Sequence, residues 1–455
     1  MAADITATVA GQIEVVAPNL EKYFESTNQI AGLIKKSARV QKVSRYLFRI
    51  PFQRWRGGSF GKYIADQGDM GSGTGMNIQS LTAGYFYSRR AYRITQEQID
   101  TSQDTGQSVV NVFQKTLAEA MIEAQIDDDI CFHNDGTGKL TNGCANQVGT
   151  SNSTLTFTAT GDTLGVNKLR EGMIVDVWKS DGSVKRTSGA NRQITGIDYV
   201  GKVVTLDAAY TSVDGQSDLL AFAGMDAYGP TTLVSFTNTW PSLGGQNAVA
   251  NTGLGGDSFR HGYLYANDAT GANYYLGKQK SSYTQLLPTQ VNAQSSGLVF
   301  PHGLQVLDGI VQRRDPDQVK GLVGIAHMAQ RSAVFQLGIA ISEWFRKDSD
   351  KMIDIMPNNT GYSETFSFCG VKSYISKRQD RSRFDFINPA NWGRAQLFDT
   401  KFYDVDGIRV FPVRSSSTAN LVSAVEFFIV QAYDFVCYDP GAGGYISSLT
   451  VPSGY

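Results

Sequence analysis

A chain of 455 residues is longer than one hydrophobic core usually serves, so two or three compact units are expected. Its 41% apolar and 18% charged residues exclude intrinsic disorder, and 41 basic against 42 acidic residues, a net charge of −1, exclude a surface built throughout to grip nucleic acid. The 47 glycines and 11% aromatic residues, set against 12 prolines, point to a β-rich chain with many turns and a few helices.

The start of the chain is unevenly charged. Between Ser26 and Ala65 there is no acidic residue, while Lys35, Lys36, Arg39, Lys42, Arg45, Arg49, Arg54, Arg56 and Lys62 are all basic. Such a segment repels itself unless something acidic lies against it. It reads as an arm that reaches a neighbouring subunit's acidic surface or touches packaged DNA, or else as an ordinary solvated face. Gly57 to Gly75 is glycine-rich and reads as a long loop or hairpin tip, flanked by the aromatic and β-branched runs 46–52 and 85–94. Those two runs are expected to be the arms of one extended hairpin, which cannot bury itself and needs a contact with another chain.

From Gly106 to His133 the spacing turns helical. Val109, Phe113, Leu117, Ala120 and Ala124 form one stripe and Ile122, Ile126 and Ile130 a second, which predicts a helix roughly 40 Å long buried against two layers. The glycines of Gly136 to Gly138 are expected to end it. Asn146 to Gly224 then breaks into the short runs LTFT, MIVDVW, RQITGID and KVVTLD, separated by turns such as Asp181-Gly182 and Asp214-Gly215, and predicts a small antiparallel β-barrel or sandwich inserted with its own core. Met225 to Val299 is rich in glycine and asparagine. Two helices are predicted after it, Gly303 to Arg314 with Leu304, Leu307 and Val311 inward, and Met328 to Ile341 with Val334 and Leu337 inward, around the strand GLVGIAH. Strands fill 362–413 and 421–438, and no repeat is apparent.

Little in the chain carries catalytic chemistry. His133, His261, His302 and His327 are not in metal-ligand spacing, and neither a GxSxG elbow nor a GxxxxGK[ST] phosphate loop occurs. The glycine runs at 71–75 and 253–256 do not follow a buried strand into a helix, so they read as flexible loops. Asp127, Asp128 and Asp129 point about 100° apart on a helix and read as a solvated or salt-bridged helix end. Cys131, Cys144, Cys369 and Cys437 lack CxxC spacing and are expected to be buried free thiols. No secretory signal is expected, and Glu426, Gln431 and Asp434 interrupt the most apolar late segment, so the reading is a soluble protein made in a cytoplasm, with no cofactor or metal and no enzymatic activity.

Three stretches, taken in their order, carry a family resemblance. IDDDICFHNDGTGKLTNG (126–143), GIAHMAQRSAVFQLG (324–338) and FCGVKSYIS (368–376) resemble the spine-helix end, a later strand and helix, and the axial-domain entry of the major capsid proteins of tailed bacteriophages, the Hong Kong 97 type. The resemblance implies an α+β fold with an N-terminal arm at 1–47, an extended loop hairpin at 48–92, a peripheral domain with its spine helix at 93–145, an inserted β-barrel domain at 146–224, and the rest of the peripheral domain with the axial domain at 225–455. It implies a shell subunit that assembles with itself as hexamers and pentamers around double-stranded DNA, in a virion, alongside a portal protein and separate scaffolding and decoration proteins, with no membrane. The basic residues Lys35, Lys36, Arg39, Arg45, Arg49, Arg54, Arg56 and Lys62 are then interface candidates. Some members join subunits by a lysine–asparagine bond that starts in the extended loop, where Lys62 lies; that reaction needs a buried, deprotonated lysine and a carboxylate base. The alternatives are another β-rich virion component, such as a tail or decoration protein, and a hydrolase whose site is assembled from distant residues.

Overall fold

The computed structural model describes residues 34, 41–42, 48–55, 77–84, 86–95, 108–136, 138–145, 149–157, 164–180, 184–212, 215, 217–223, 260, 262–269, 274–276, 278–314, 317–345, 365–414 and 421–452. In chain order the elements are β1 (Gln41–Lys42), β2 (Phe48–Trp55), β3 (Asn77–Ala83), β4 (Phe86–Thr95), α1 (Ser108–Phe132), β5 (Gly149–Thr156), β6 (Ile174–Lys179), β7 (Arg192–Asp198), β8 (Val203–Ser212) and β9 (Asp218–Phe222). They continue with β10 (Tyr274–Tyr275), β11 (Lys278–Gln279), β12 (Thr289–Asn292), α2 (Phe300–Arg313), β13 (Val323–Ala326), α3 (Met328–Phe345), β14 (Thr365–Phe368), β15 (Val371–Ile375), β16 (Phe384–Ile387), β17 (Trp392–Phe402), β18 (Val410–Arg414), β19 (Leu421–Cys437) and β20 (Gly444–Ser447). The chain forms two compact units, the first from Met1–Lys36, Gly84–Phe132 and Arg394–Asp434, the second from Ser37–Ala83, His133–Gly393 and Phe435–Tyr455.

In the first unit, the 17-residue strand β19 pairs with β4 over ten rungs, from Ala424 opposite Thr95 to Tyr433 opposite Phe86, and with β18 from Val410 opposite Phe427. The alternation of β4 sorts its side chains. Arg90 and Tyr92 turn to α1, where Arg90 donates to the Asp127 carboxylate at 3.2 Å and to the Ala124 carbonyl at 3.1 Å, and the Tyr92 hydroxyl donates to the Ala120 carbonyl at 3.2 Å. Tyr87, Arg89, Ala91 and Arg93 face outward. The acidic end of α1 is therefore salt-bridged, as expected, with Asp128 also 3.7 Å from Arg90. At 25 residues α1 is about 38 Å long. Ala120, Ala124 and Ile130 are buried, but Ile122 is 56% exposed, so the second stripe is not covered along its length as the spacing predicts. Val109, Phe113 and Leu117 have side chains outside the described residues.

In the second unit, six strands form a mixed sheet in the order β12-β20-β16-β13-β15-β14. Its core strand explains the sheet's two faces: Phe384 and Phe386 project to one side and Asp385 to the other. The phenyl side packs with Phe366, Phe368, Val306, Leu307, Ile310 and Val334. In α2 the buried positions are Gly303, Val306, Leu307 and Ile310, while Leu304 is 52% exposed and Val311 is also exposed, which corrects the predicted inward face by about one residue of helix rotation. Gly303 sets that phase: a Cβ there would lie 2.5 Å from Cys369 Sγ and 2.7 Å from Phe368 Cε1, so only glycine lets the helix sit this close. On the Asp385 side lies a buried polar network, with Lys280 donating to the carbonyls of Tyr265, Ala266 and Asp268 at 3.0, 3.3 and 2.6 Å. Burial pushes the Lys280 ammonium down to about 8.

The second unit also holds a five-stranded antiparallel sheet in the order β5-β8-β7-β6-β9. Its pairing circuit is completed by residues 138–145. The Leu140 N–H donates to Leu220 at 2.9 Å, Phe222 to Gly138 at 3.1 Å, Cys144 to Asp218 at 2.7 Å, and Ala145 to Thr156 at 2.7 Å, which returns the chain from β9 to β5. Inside lie Leu155, Phe157, Val175, Val177, Trp178, Val204 and Leu220, all fully buried. Two charges are buried with them and both are paired, Asp176 with Lys185 at 2.8 Å and Asp218 with Arg186 at 2.5 Å, the latter also accepting from the Tyr210 hydroxyl at 3.0 Å.

Candidate assembly interface

The hairpin begins with a two-residue period. In FRIPF, Phe48, Ile50 and Phe52 are buried and Arg49 and Pro51 exposed, so one face of β2 is committed to the second unit and the other is presented to solvent. Opposite it, Leu81 and Ala83 of β3 pair with Ile50 and Phe48 and are buried on the same side. The base is tied down by the Thr82 N–H donating to the Leu276 carbonyl at 3.3 Å and by the edge-on contact of Phe52 with Tyr283 at 5.9 Å. The arms are thus Phe48–Trp55 and Asn77–Ala83, which corrects the expectation that 85–94 is the return arm; that run is β4 and pairs with β19.

Of the predicted interface residues, Arg49 is exposed on β2 opposite Gln41 and Thr82, and Arg54 lies near the end of the same strand. Lys35, Lys36, Arg39, Arg45, Arg56 and Lys62 lie outside the described residues. The structure therefore brings two of the eight onto one strand. Apolar surface, which the sequence reading did not single out, is more plentiful. Ile78 on β3 is 57% exposed, and at the turn between β7 and β8 Tyr199 is exposed and Val200 stands 94% clear of its own chain. That five-stranded sheet touches the six-stranded body through Arg381, which donates to the Asn167 side chain at 3.0 Å.

No family model matches the sequence, and no curated protein matches it. Solved structures do. The chain is similar to the capsid asymmetric unit of cyanophage A-1(L), with 11% identity over 93% of each chain and a TM-score of 0.46. It is also similar to the capsid of a native GTA particle, with 11% identity, 94% of this chain and 91% of that one covered and a TM-score of 0.42, and to the capsid of the empty particle, with 9% identity, 93% and 91% covered and a TM-score of 0.43. All three are capsids.

The chemistry of the described surface is that of non-covalent association. Among the described residues no group of three or more His, Cys, Asp and Glu side chains gathers as a metal site would, and no helix is long and apolar enough to cross a membrane. Cys131, Cys144 and Cys437 are buried free thiols and Cys369 is a half-buried one. Burial pushes the Cys437 thiol far up and the Cys369 thiol up to about 11, so both stay protonated at neutral pH.

One buried group gives the second unit an acid limit. His327 precedes α3 and its Nδ1 accepts the Ala329 N–H at 3.1 Å, so the ring is held neutral. Burial first, and then the Arg381 guanidinium, push it from 6.5 down to about 4, against the opposing pull of Asp380. The folded value lies below the unfolded one, so the unfolded chain takes up the proton first as pH falls. Stability is complete above pH 6.5 and drops by up to about 3 kcal/mol as pH approaches 4. Urea midpoints measured at pH 7 and pH 4.5 should differ for the native chain and differ less for His327→Gln; equal slopes would reject the assignment.

Proposed function

We propose that this chain is the major capsid protein of a tailed bacteriophage, of the Hong Kong 97 type, and that it builds an icosahedral shell around double-stranded DNA as hexamers and pentamers. The observation that carries the reading is the order of parts along one chain: a two-stranded hairpin with 21 residues (56–76) between its arms, a 25-residue helix, a small β-structure with a core of its own, and a mixed sheet packed on helices. The hairpin supports it further. Its arms bury one face at the base and carry a loop that the surrounding unit has no need of, which suits a lap onto an adjacent subunit. Large apolar side chains left in solvent on β3, α1, α2 and the β7–β8 turn are what a subunit shows before its neighbours arrive.

In this reading the residues 1–47 form the arm, 48–92 the extended loop region, 93–145 the spine-helix region of the peripheral domain, 146–224 an inserted domain that makes subunit contacts, and 225–455 the rest with the axial domain. The basic residues Lys35, Lys36, Arg39, Arg45, Arg49, Arg54, Arg56 and Lys62 seek acidic surface on the neighbour. A net charge of −1 suits a container that must not bind its contents tightly. A portal protein and separate scaffolding and decoration proteins complete the particle, the chain works in the virion after synthesis in the bacterial cytoplasm, and it needs no cofactor and catalyses nothing.

Electron microscopy of the full chain, expressed alone and with scaffolding protein, tests this. Uniform closed shells are expected. Discrete monomers across salt, pH and crowding conditions would reject it.

A further inference from the structure

In the first unit β19 is central, and its two edges carry different things. Val425 pairs with Ile94 of β4 on one side and with Pro412 of β18 on the other, so β4 and β18 lie along opposite edges. β17 shares the edge of β18, because the Tyr403 N–H that follows it donates to the Phe428 carbonyl at 2.8 Å, and β18 opens opposite Phe427. Residues 403–409, which join β17 to β18, therefore stand out from that edge as a small hairpin.

Its geometry is fixed locally. Val405 bridges to Ile408 across Asp406 and Gly407, whose φ values of 52° and 84° are those of a two-residue hairpin turn. Asp404 holds the loop by accepting the Gly407 N–H at 2.8 Å and the Arg409 guanidinium at 3.0 Å. The outer surface is apolar: Tyr403, Val405 and Ile408 are 46, 40 and 56% exposed, and the Tyr403 ring runs on to Phe411 at 6.0 Å and Phe428 at 6.3 Å. At the apex sits the exposed carboxylate of Asp406, which has no partner among the described residues.

The opposite edge carries the complementary group. Arg89 projects outward from β4 and also has no partner among the described residues, whereas its neighbour Arg93 is taken by Glu426 at 2.6 Å. Beside Arg89 the Tyr87 ring lies 5.6 Å from Phe398, an exposed aromatic floor of the kind that an apolar tip covers. Tip and floor belong to opposite edges of one sheet, so they meet only between chains. Two tips meeting symmetrically would set one Asp406 against another, which opposes a two-fold contact. A head-to-tail contact brings opposite charges together, and it closes into a ring when the rotation between copies allows.

We propose that the 403–409 hairpin of one copy seats on the outer face of β4 of the next, with Asp406 against Arg89 and Val405 and Ile408 over Tyr87. This rests on the shell reading and assigns to it a pair of surfaces. Three full-length variants test it: Asp406→Lys, Arg89→Asp and the two together. Each single change sets like charges face to face and is expected to lower the yield of closed shells about tenfold, while the double change recovers it. Circular dichroism and the thermal midpoint of the unassembled chains should match the native protein, since both side chains are exposed. As a second readout, Asp406→Cys combined with Arg89→Cys should give a ladder of disulfide-linked subunits from oxidised shells. Native-like yields from both single variants, or no recovery in the double, would overturn the contact and leave the shell reading standing. A native chain that forms no shells would overturn both.

Discussion

Replacing Asp385 with alanine is expected to destabilise the second unit by about 3–5 kcal/mol, because it strips the partner from a buried guanidinium. Asp385 is fully buried on the polar side of β16 and accepts from Arg383 at 2.8 Å, from Asn267 at 2.5 Å and from Gln379 at 2.5 Å. Gln379 in turn bonds the buried Tyr263 hydroxyl, and Arg383 lies flat against Tyr445, 3.8 Å from its ring centre. The pair itself adds little net stability, since taking both ions out of water offsets most of their attraction. Breaking it is different, because the arginine stays buried with its charge and Asn267 and Gln379 lose an acceptor. The double change Asp385→Leu with Arg383→Met removes both charges and should be much milder than the single change. Urea unfolding of the three variants decides the matter. A loss below about 1 kcal/mol for Asp385→Ala would mean that water reaches Arg383.

How much of this was readable beforehand depended on whether local pattern or long-range pairing fixed each element. The helix at Ser108–Phe132 was legible because its 3.6-residue spacing is strong, and the runs MIVDVW, RQITGID and KVVTLD became β6, β7 and β8 because turn residues bracket them. The hairpin's partner was not. NIQSLTA offers two large apolar residues, whereas FYSRRAYRIT is richer in aromatic residues, and nothing local says that the second matches ten rungs of a strand more than 300 residues later. The phase of α2 was missed for a related reason: Leu304 and Val311 look like core, but Gly303 yields its place to Phe368, a contact 65 residues away that rotates the helix. At the candidate interface, charge was visible in the sequence and exposure was not. Arg49 and Arg54 stood out as basic, while Asp406-Gly407 carries the same turn signal as Asp181-Gly182 and was passed over because its exposed neighbours, Val405 and Ile408, look like ordinary strand residues.

The other large effect belongs to the five-stranded sheet, and it tests whether that part stands on its own. Trp178→Ala is expected to cost about 3–5 kcal/mol, the usual range for emptying a fully buried aromatic site. Trp178 has no exposed surface, packs with Leu219, Ala221 and Phe222, and lies under the Lys185 ammonium at 5.4 Å. Lys185 is also the partner of the buried Asp176, so a collapse of the indole site loosens a charge pair as well as an apolar contact. What makes the prediction specific is where the loss falls. The pairing circuit from β5 to β9 closes on itself through residues 138–145, so its cooperativity is internal, and Arg381 to Asn167 is a tie that need not transmit the loss. Hydrogen exchange on the intact chain should speed up across 149–222 in Trp178→Ala while β13, β15 and β16 keep their protection. If protection fell equally in both, the small sheet and the six-stranded body would be one cooperative unit, and the description of 146–224 as an insertion with its own core would fail.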